Sequence, residues 1–260
     1  FFSFAVLAII ISFTIKGIFI YHRKDKSLRR SSPVFNFIIL LGLDLIFIAL
    51  IFYGLTYTTA TCFLYAWLLA IGVGLCLSGV LVKSYRIYRI FKNSEATALI
   101  ISDWKLGKFV ILVIICELGL CSLYSFVSGI LGPVVIQSSS DIFYKYRICL
   151  VPSEAIQFTF LLIIYLFNFL LLISISVFAL LTRKIDDSYS EARGIAYAVY
   201  CTILFQICFL PLVYTSQDST GSAMTRYAVT GIIILGNGYL VLTFLFVEKV
   251  FRLQKRNAAV

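Results

Sequence analysis

The sequence predicts an all-α integral membrane protein, a bundle of seven transmembrane helices. Of its 260 residues, 61% are hydrophobic and only 13% are charged, whereas a soluble globular domain is nearer half apolar and a quarter charged. The apolar residues also fall into seven blocks, each of about 20 residues or more, which is the length that an α-helix needs to cross a hydrocarbon layer of about 30 Å. Together these observations predict a membrane protein.

Each of the seven blocks is predicted to be helical along its length. Strands of a membrane barrel would alternate apolar and polar side chains, and these blocks are apolar on all sides. The first block has neither the preceding basic stretch nor the small-residue cleavage site of a signal peptide, so it is counted as a helix. The predicted helices are 2–21, 34–57, 63–88, 107–131, 155–181, 195–215 and 227–247.

The Lys and Arg residues are divided unequally between the two sides of the predicted bundle. When the connecting segments are assigned to alternate sides, eighteen of the 22 Lys and Arg residues fall on one side. Short loops rich in these residues stay in the cytoplasm, so the N-terminus is predicted to lie outside and the C-terminus inside. The positive inner side also attracts anionic membrane lipid, by about 1 kcal/mol per residue near the surface.

Two of the seven cysteines lie outside the helical blocks, on the predicted outer side. Cys62 is at the outer end of helix three and Cys149 is in the outer loop 132–153, and both face an oxidising compartment in which a disulfide persists. We predict that they are paired, with two free thiols as the alternative. The others lie in helical blocks, where Cys is usually a small buried residue: Cys76, Cys116, Cys121, Cys201 and Cys208.

Several sequence segments together resemble one receptor family. Residues 31–36 at the start of helix two are Ser-Ser-Pro-Val-Phe-Asn, and residues 83–86 near the end of helix three are Lys-Ser-Tyr-Arg. Residues 67–69 of helix three are Trp-Leu-Leu, and residues 190–193 before helix six are Ser-Glu-Ala-Arg. This set resembles the class C G-protein-coupled receptors, and within them the GABA-B type more than the metabotropic glutamate type.

The end of helix seven departs from the family pattern. The family usually ends this helix in Phe-Val-Pro-Lys, whereas residues 246–249 here are Phe-Val-Glu-Lys. Because proline kinks a helix, its replacement by Glu248 predicts a straighter inner end.

The resemblance implies the transmembrane signalling domain of a receptor that relays an extracellular ligand signal to a heterotrimeric G protein. It implies a multi-pass protein of the plasma membrane, a homo- or heterodimer of class C subunits, and an outer ligand-binding domain that is absent from this chain. Basic residues of the inner segments are then candidate G-protein contacts, with a solvated basic surface as the alternative. These candidates are Arg86, Arg89, Lys92, Arg183 and Lys184.

Lys83 and Glu191 are predicted to form an ionic lock. Lys83 lies 21 residues after Cys62, or about 32 Å along a helix, which places it at the inner edge of the membrane. Glu191 lies at the inner start of helix six, and the resemblance implies the salt bridge that holds class C receptors inactive by joining helices three and six. Alternatively, Glu191 only completes the Ser-x-x-Glu capping box of residues 188–191, and Lys83 extends its ammonium to the lipid headgroups.

Polar residues are also predicted near the membrane midplane. Asp44 and Glu117 lie about 15–17 Å deep by the helical rise, with no basic residue expected at their level. Because an isolated ionised carboxylate is very costly there, we expect both acids to be protonated and hydrogen-bonded to amides of neighbouring helices. The amides are those of Asn168, Gln206 and Asn237.

The intramembrane acids Asp44 and Glu117 leave one alternative function, a transporter or channel. Two features weigh against it: the sequence has no repeated pair of Gly- or Pro-broken helices, and its single histidine, His22, lies in a loop. The sequence also has no catalytic triad, phosphate-binding loop or metal-spaced cluster. We therefore expect no enzymatic activity, no cofactor or metal, and no nucleic-acid partner.

Overall fold

The computed structural model describes residues 1–22, 33–55, 58–92, 103–127, 132–137, 145–150, 154–182, 190–218, 223–247 and 249–251. Within these ranges, seven helices are long and apolar enough to cross a membrane. The predicted fold class is thereby confirmed. The helices are α1 (Phe2–Tyr21), α2 (Pro33–Gly54), α3 (Thr59–Lys92), α4 (Asp103–Val127), α5 (Glu154–Leu181), α6 (Ser190–Asp218) and α7 (Ala223–Leu242).

Several helix ends differ from the prediction by about a turn, on both sides of the bundle. Helix α3 continues to Lys92, about one turn beyond its predicted end at residue 88, and α4 begins at Asp103, about one turn before its predicted start at residue 107. These extra turns carry charged residues, which a search for apolar blocks does not include. Consequently α3 and α4 extend beyond the hydrocarbon layer on the side where the basic residues cluster.

The inner end of helix seven does not continue as a regular α-helix. A five-residue π-helical segment, Thr243–Val247, follows α7. Phe246 is fully buried, with its ring centroid 6.0 Å from that of Phe19 in α1, and Phe244 lies 6.1 Å from Tyr197 in α6. A π-helical turn redirects side chains within a helix, and this one places two aromatic rings against two different helices.

The outer loop between α4 and α5 contains a β-hairpin that the sequence analysis did not predict. Strand β1 (Gly132–Gln137) pairs antiparallel with β2 (Lys145–Leu150), with Pro133 opposite Cys149. Strand β1 also contacts α3. A search for membrane-spanning blocks does not detect strands this short. The hairpin places the outer loop in contact with α3.

Helix α2 lies at the centre of the bundle, packed most extensively against α3. In α2, 61% of the membrane-spanning window is buried within the protein, against 11% in α5. A Cβ atom added at Gly42 would lie 2.7 Å from the Gly72 carbonyl oxygen, and one added at Gly72 would lie 2.8 Å from that of Gly42. The backbones of α2 and α3 therefore touch, as small residues permit in membrane bundles.

Candidate functional site

An ion pair joins α1 and α2 inside the membrane. Lys16 Nζ donates a hydrogen bond to Asp44 Oδ2, and the side chains are only 15% and 6% exposed. The expectation that Asp44 has no basic residue at its level was wrong. By helical rise, the Lys16 backbone is about 8 Å and the Asp44 backbone about 16 Å from the inner ends of their helices, and the long lysine side chain closes that gap.

Glu117 of α4 is the second intramembrane acid, and it is completely buried. Its Cγ lies 3.0 Å from the position that a Cβ on Gly74 of α3 would take, so the absence of a side chain at Gly74 makes room for it. Neither Glu117 carboxyl oxygen has a hydrogen-bond partner within the described residues. Asn168 of α5 lies beside this carboxyl, but its Nδ2 donates to the Ile164 carbonyl at 3.0 Å.

The five predicted midplane residues do not form one connected network. Asn237 Nδ2 donates to the Ile233 carbonyl of its own helix at 3.0 Å, and Gln206 is half-buried. Of the five, Glu117 and Asn168 lie side by side, while Asp44 is paired with Lys16 instead. The expectation of one network was therefore wrong for Asp44 and Asn237, because equal depth does not make side chains face each other, and an amide can bond to its own helix instead.

Lys83 is buried at the inner end of α3, with 4% of its surface exposed. Its Nζ donates to Asn36 Oδ1 of α2 at 2.5 Å, and Asn36 is fully buried. Asn36 belongs to the segment 31–36 that resembles the receptor family, but its contact with Lys83 was not predicted. Its position in the first turn of an otherwise apolar helix was the available signal, because a buried amide needs a polar partner.

Glu191 lies in the first turn of α6, which begins at Ser190, while its side chain lies outside the described residues. Its pairing with Lys83 therefore stays a prediction.

Cys62 is disulfide-bonded and 2% exposed at the outer end of α3. Its predicted partner, Cys149, is placed on β2, with a side chain outside the described residues, so this partner stays a prediction. The five cysteines in helices are free, as expected, but Cys116 and Cys208 are exposed rather than buried. Both are on helix faces where the bilayer would be the neighbour.

Residues 1–249 match the family model described as "7 transmembrane sweet-taste receptor of 3 GCPR". The chain belongs to the class C G-protein-coupled receptors. It is thus a multi-pass membrane protein of the plasma membrane, in a receptor class that is not an enzyme class.

Curated relatives of this class C receptor chain include proteins of Dictyostelium discoideum. It is 26% identical to metabotropic glutamate receptor-like protein J, over 92% of this chain and 30% of the relative. It is 26% identical to metabotropic glutamate receptor-like protein F, over 91% of this chain and 30% of the relative. It is 27% identical to metabotropic glutamate receptor-like protein B, over 99% of this chain and 33% of the relative. The chain spans about a third of the length of these relatives.

The predicted G-protein-facing residues of this class C receptor chain are only partly described. Arg86 and Arg89 are half-buried on the last turns of α3, a position fixed by Tyr85 and Tyr88, whose rings lie 5.6 Å and 5.5 Å from that of Phe178 in α5. Lys92 ends α3, and its side chain lies outside the described residues. The segment that carries Arg183 and Lys184 also lies outside the described residues.

The structure describes no group of three or more His, Cys, Asp or Glu side chains placed to hold a metal ion, within the ranges given above. The charged side chains that it places against a polar partner on another helix include Lys16 with Asp44, and Lys83 with Asn36. Both pairs join α2 to a neighbouring helix, and they lie at different depths. Helix α2 therefore takes part in both of these buried contacts, whereas Trp67 Nε1 of α3 donates to Ser125 Oγ of α4 at 3.3 Å without it.

The disulfide of Cys62 has a direct chemical test. In Cys149→Ser, Cys62 should react with an alkylating agent before any reductant is added, whereas in the natural sequence it should react only after reduction. Peptide mapping by mass spectrometry measures this. Cys116→Ser is the matched control and should leave Cys62 protected, and protection of Cys62 in Cys149→Ser would assign the bond to a different partner.

Proposed function

We propose that this chain is the transmembrane signalling domain of a GABA-B-like class C receptor, which relays an extracellular ligand signal to a heterotrimeric G protein. The observation that carries the proposal is the buried ammonium of Lys83 at the inner end of α3. A buried ammonium favours a carboxylate close by, and the Lys83 Nζ already donates to Asn36 Oδ1 of α2 at this depth. A carboxylate on a helix that can move is the complementary partner for a switch.

Glu191 is the proposed carboxylate. It lies in the first turn of α6, and the N-terminus of α6 and the C-terminus of α3 belong to the same predicted side of the membrane. In the resting state, the Lys83–Glu191 bridge holds α6 against α3. Movement of α6 breaks this bridge and opens the inner face to a G protein, to which Arg86 and Arg89 present positive charge.

The proposed orientation places the N-terminus outside, so that an outer domain receives the ligand, as the family resemblance implies. The proposed disulfide between Cys62 and Cys149 then ties the β-hairpin to the outer end of α3. A dimer with a second class C subunit would transmit the ligand signal between bundles. The GABA-B type is supported by the segments at 31–36 and 83–86, while the relatives reported above are named for the metabotropic glutamate type.

A transporter or channel is less well supported than a receptor. That alternative uses Asp44 and Glu117 as ion-binding groups, but Lys16 already neutralises Asp44. Glu117 is enclosed between α3 and α4. Within the described residues, both acids are thus held in contacts between neighbouring helices.

Loss of either partner should raise ligand-independent signalling. In Lys83→Ala and in Glu191→Ala, basal nucleotide exchange on a G protein should rise about 5-fold or more, the lower range of conformational coupling in proteins. The measurement is GTP-analogue binding in membranes that contain the full receptor. An ion-flux assay on the same membranes tests the transporter alternative.

Two further variants separate the lock from a helix cap. Ser188→Ala removes the predicted cap of α6 and should cost about 1 kcal/mol of stability, while basal signalling stays unchanged. The exchanged pair, Lys83→Glu with Glu191→Lys, should return basal signalling towards that of the natural sequence. Unchanged basal nucleotide exchange in both single alanine variants would count against the lock. Unchanged basal nucleotide exchange in Ser188→Ala would show that the helix cap is separate from the lock.

A further inference from the structure

Helix α4 has a sharply divided surface. On one side Leu106, Val110 and Val113 are buried, with 6%, 5% and 4% of their surface exposed. On the other side Ile111, Leu112 and Ile115 are 54%, 56% and 58% exposed. Exposed residues at this spacing lie on one face of a helix, and the bilayer is the surrounding that such an apolar face requires.

Two lysines continue this apolar face toward the inner end of α4. Lys105 and Lys108 are both exposed, and by helical spacing Lys108 lies one turn from Ile111 and Leu112. Trp104 is 70% exposed, and the Lys108 ammonium lies 5.8 Å from its ring centroid. Among the described side chains, neither lysine has an acidic partner.

Together these residues form an amphipathic surface, here called the α4 stripe: Trp104, Lys105, Lys108, Ile111, Leu112 and Ile115. Trp residues sit at the level of the lipid headgroups, and lysines at a helix end extend their ammonium groups to the same level. The apolar part of the stripe continues from there into the hydrocarbon. A water-soluble partner could meet the lysines but not the isoleucines.

We propose that the α4 stripe is a binding site for one anionic phospholipid of the inner leaflet. The headgroup lies between Lys105 and Lys108, beside Trp104, and the acyl chains follow Ile111, Leu112 and Ile115. This differs from the diffuse attraction of a basic surface because it assigns the lipid to one helix. It rests on the orientation given under the proposed function, in which the start of α4 is cytoplasmic.

Native mass spectrometry of the full chain in detergent tests the site, with phosphatidylserine as the probe and phosphatidylcholine as the neutral comparison. The double variant K105Q/K108Q should bind phosphatidylserine about 30-fold more weakly, because each lysine near a membrane surface contributes a factor of about 5. Binding of phosphatidylcholine should be unchanged. K105R/K108R keeps both charges, and its affinity for phosphatidylserine should stay within about 3-fold of that of the natural sequence. This variant also tests whether the stripe tolerates substitution.

The matched control is K24Q/K26Q, which removes the same charge from the segment that joins α1 and α2 on the same predicted side. It should weaken phosphatidylserine binding less than 2-fold. An equal loss in the two double variants would overturn the site, since it would indicate diffuse charge. Displacement of the lipid by an equal concentration of soluble phosphoserine would also overturn it, since the apolar half of the stripe would then contribute nothing.

The lipid measurement uses no G protein and no ligand. If all the variants bound phosphatidylserine with the same affinity, the signalling proposal would therefore be unaffected. Conversely, a failure of the Lys83 and Glu191 variants to raise nucleotide exchange would leave the lipid result unaffected.

Discussion

Asp44→Ala should lower the free energy of unfolding of the bundle by about 3–5 kcal/mol, because it leaves the Lys16 ammonium inside the membrane without its carboxylate. Lys16→Ala should have a comparable effect, since it leaves Asp44 without its only ionic partner among the described residues. The measurement is thermal unfolding of the purified chain in one lipid composition, read by a fluorescent probe of cysteine exposure.

The double variant Lys16→Met with Asp44→Leu tests whether the single variants lose stability because each leaves one charge unpaired inside the membrane. Replacing a buried ion pair by apolar side chains of similar volume is often nearly neutral, so the double variant should be more stable than either single variant. Glu117→Gln is the matched control, because it removes an intramembrane acid that forms no salt bridge within the described residues. Additive losses in the double variant would contradict an interaction between Lys16 and Asp44.

The number and position of the helices could be predicted from the sequence because the bilayer imposes them. A span needs about 20 apolar residues, and blocks of this length are visible in any hydropathy pattern. The same argument fixes helix ends poorly where charged turns continue beyond the membrane, as at Lys92 of α3. A search for apolar blocks also does not detect short strands such as β1 and β2, because each strand is much shorter than a membrane span.

The partners of the polar residues could be predicted only in part. Depth along a helix follows from the rise per residue, but the direction in which a side chain points depends on how each helix is rotated in the bundle. Lys16 and Asp44 illustrate this limit, because their backbones differ in depth and their charged atoms still meet. Lys83 illustrates it as well, since its described contact, Asn36, is on α2, while the sequence directed attention to α6.

Close contact between helix backbones is the feature least accessible from sequence, because a glycine in an apolar block does not reveal what it faces. Gly72 and Gly119 are both helical glycines in such blocks. A Cβ at Gly72 would lie 2.8 Å from the Gly42 carbonyl oxygen and 2.8 Å from Ile46 Cγ1, whereas a Cβ at Gly119 would meet nothing within 4 Å. The same substitution should therefore have opposite effects at the two positions.

Gly72→Ala should destabilise the bundle by about 1–3 kcal/mol, the usual cost of added volume in a packed interior, or more because one obstacle is backbone. Gly236 offers a useful contrast. A Cβ there would meet the ring of Phe205, but a ring can turn aside, whereas the carbonyl of Gly42 can move only with its helix. Relief at Gly72 thus requires α2 and α3 to separate.

Gly119→Ala is the matched control and should stabilise α4 by up to about 1 kcal/mol, since alanine favours a helix more than glycine does. Thermal unfolding of both variants in the same lipid measures the difference. Equal stability of the two variants would show that α2 and α3 do not touch at Gly42 and Gly72. Because Asn36 and Lys83 lie on these same two helices, separation should also lengthen the 2.5 Å contact between them, so Gly72→Ala should raise basal signalling in the direction expected for Lys83→Ala.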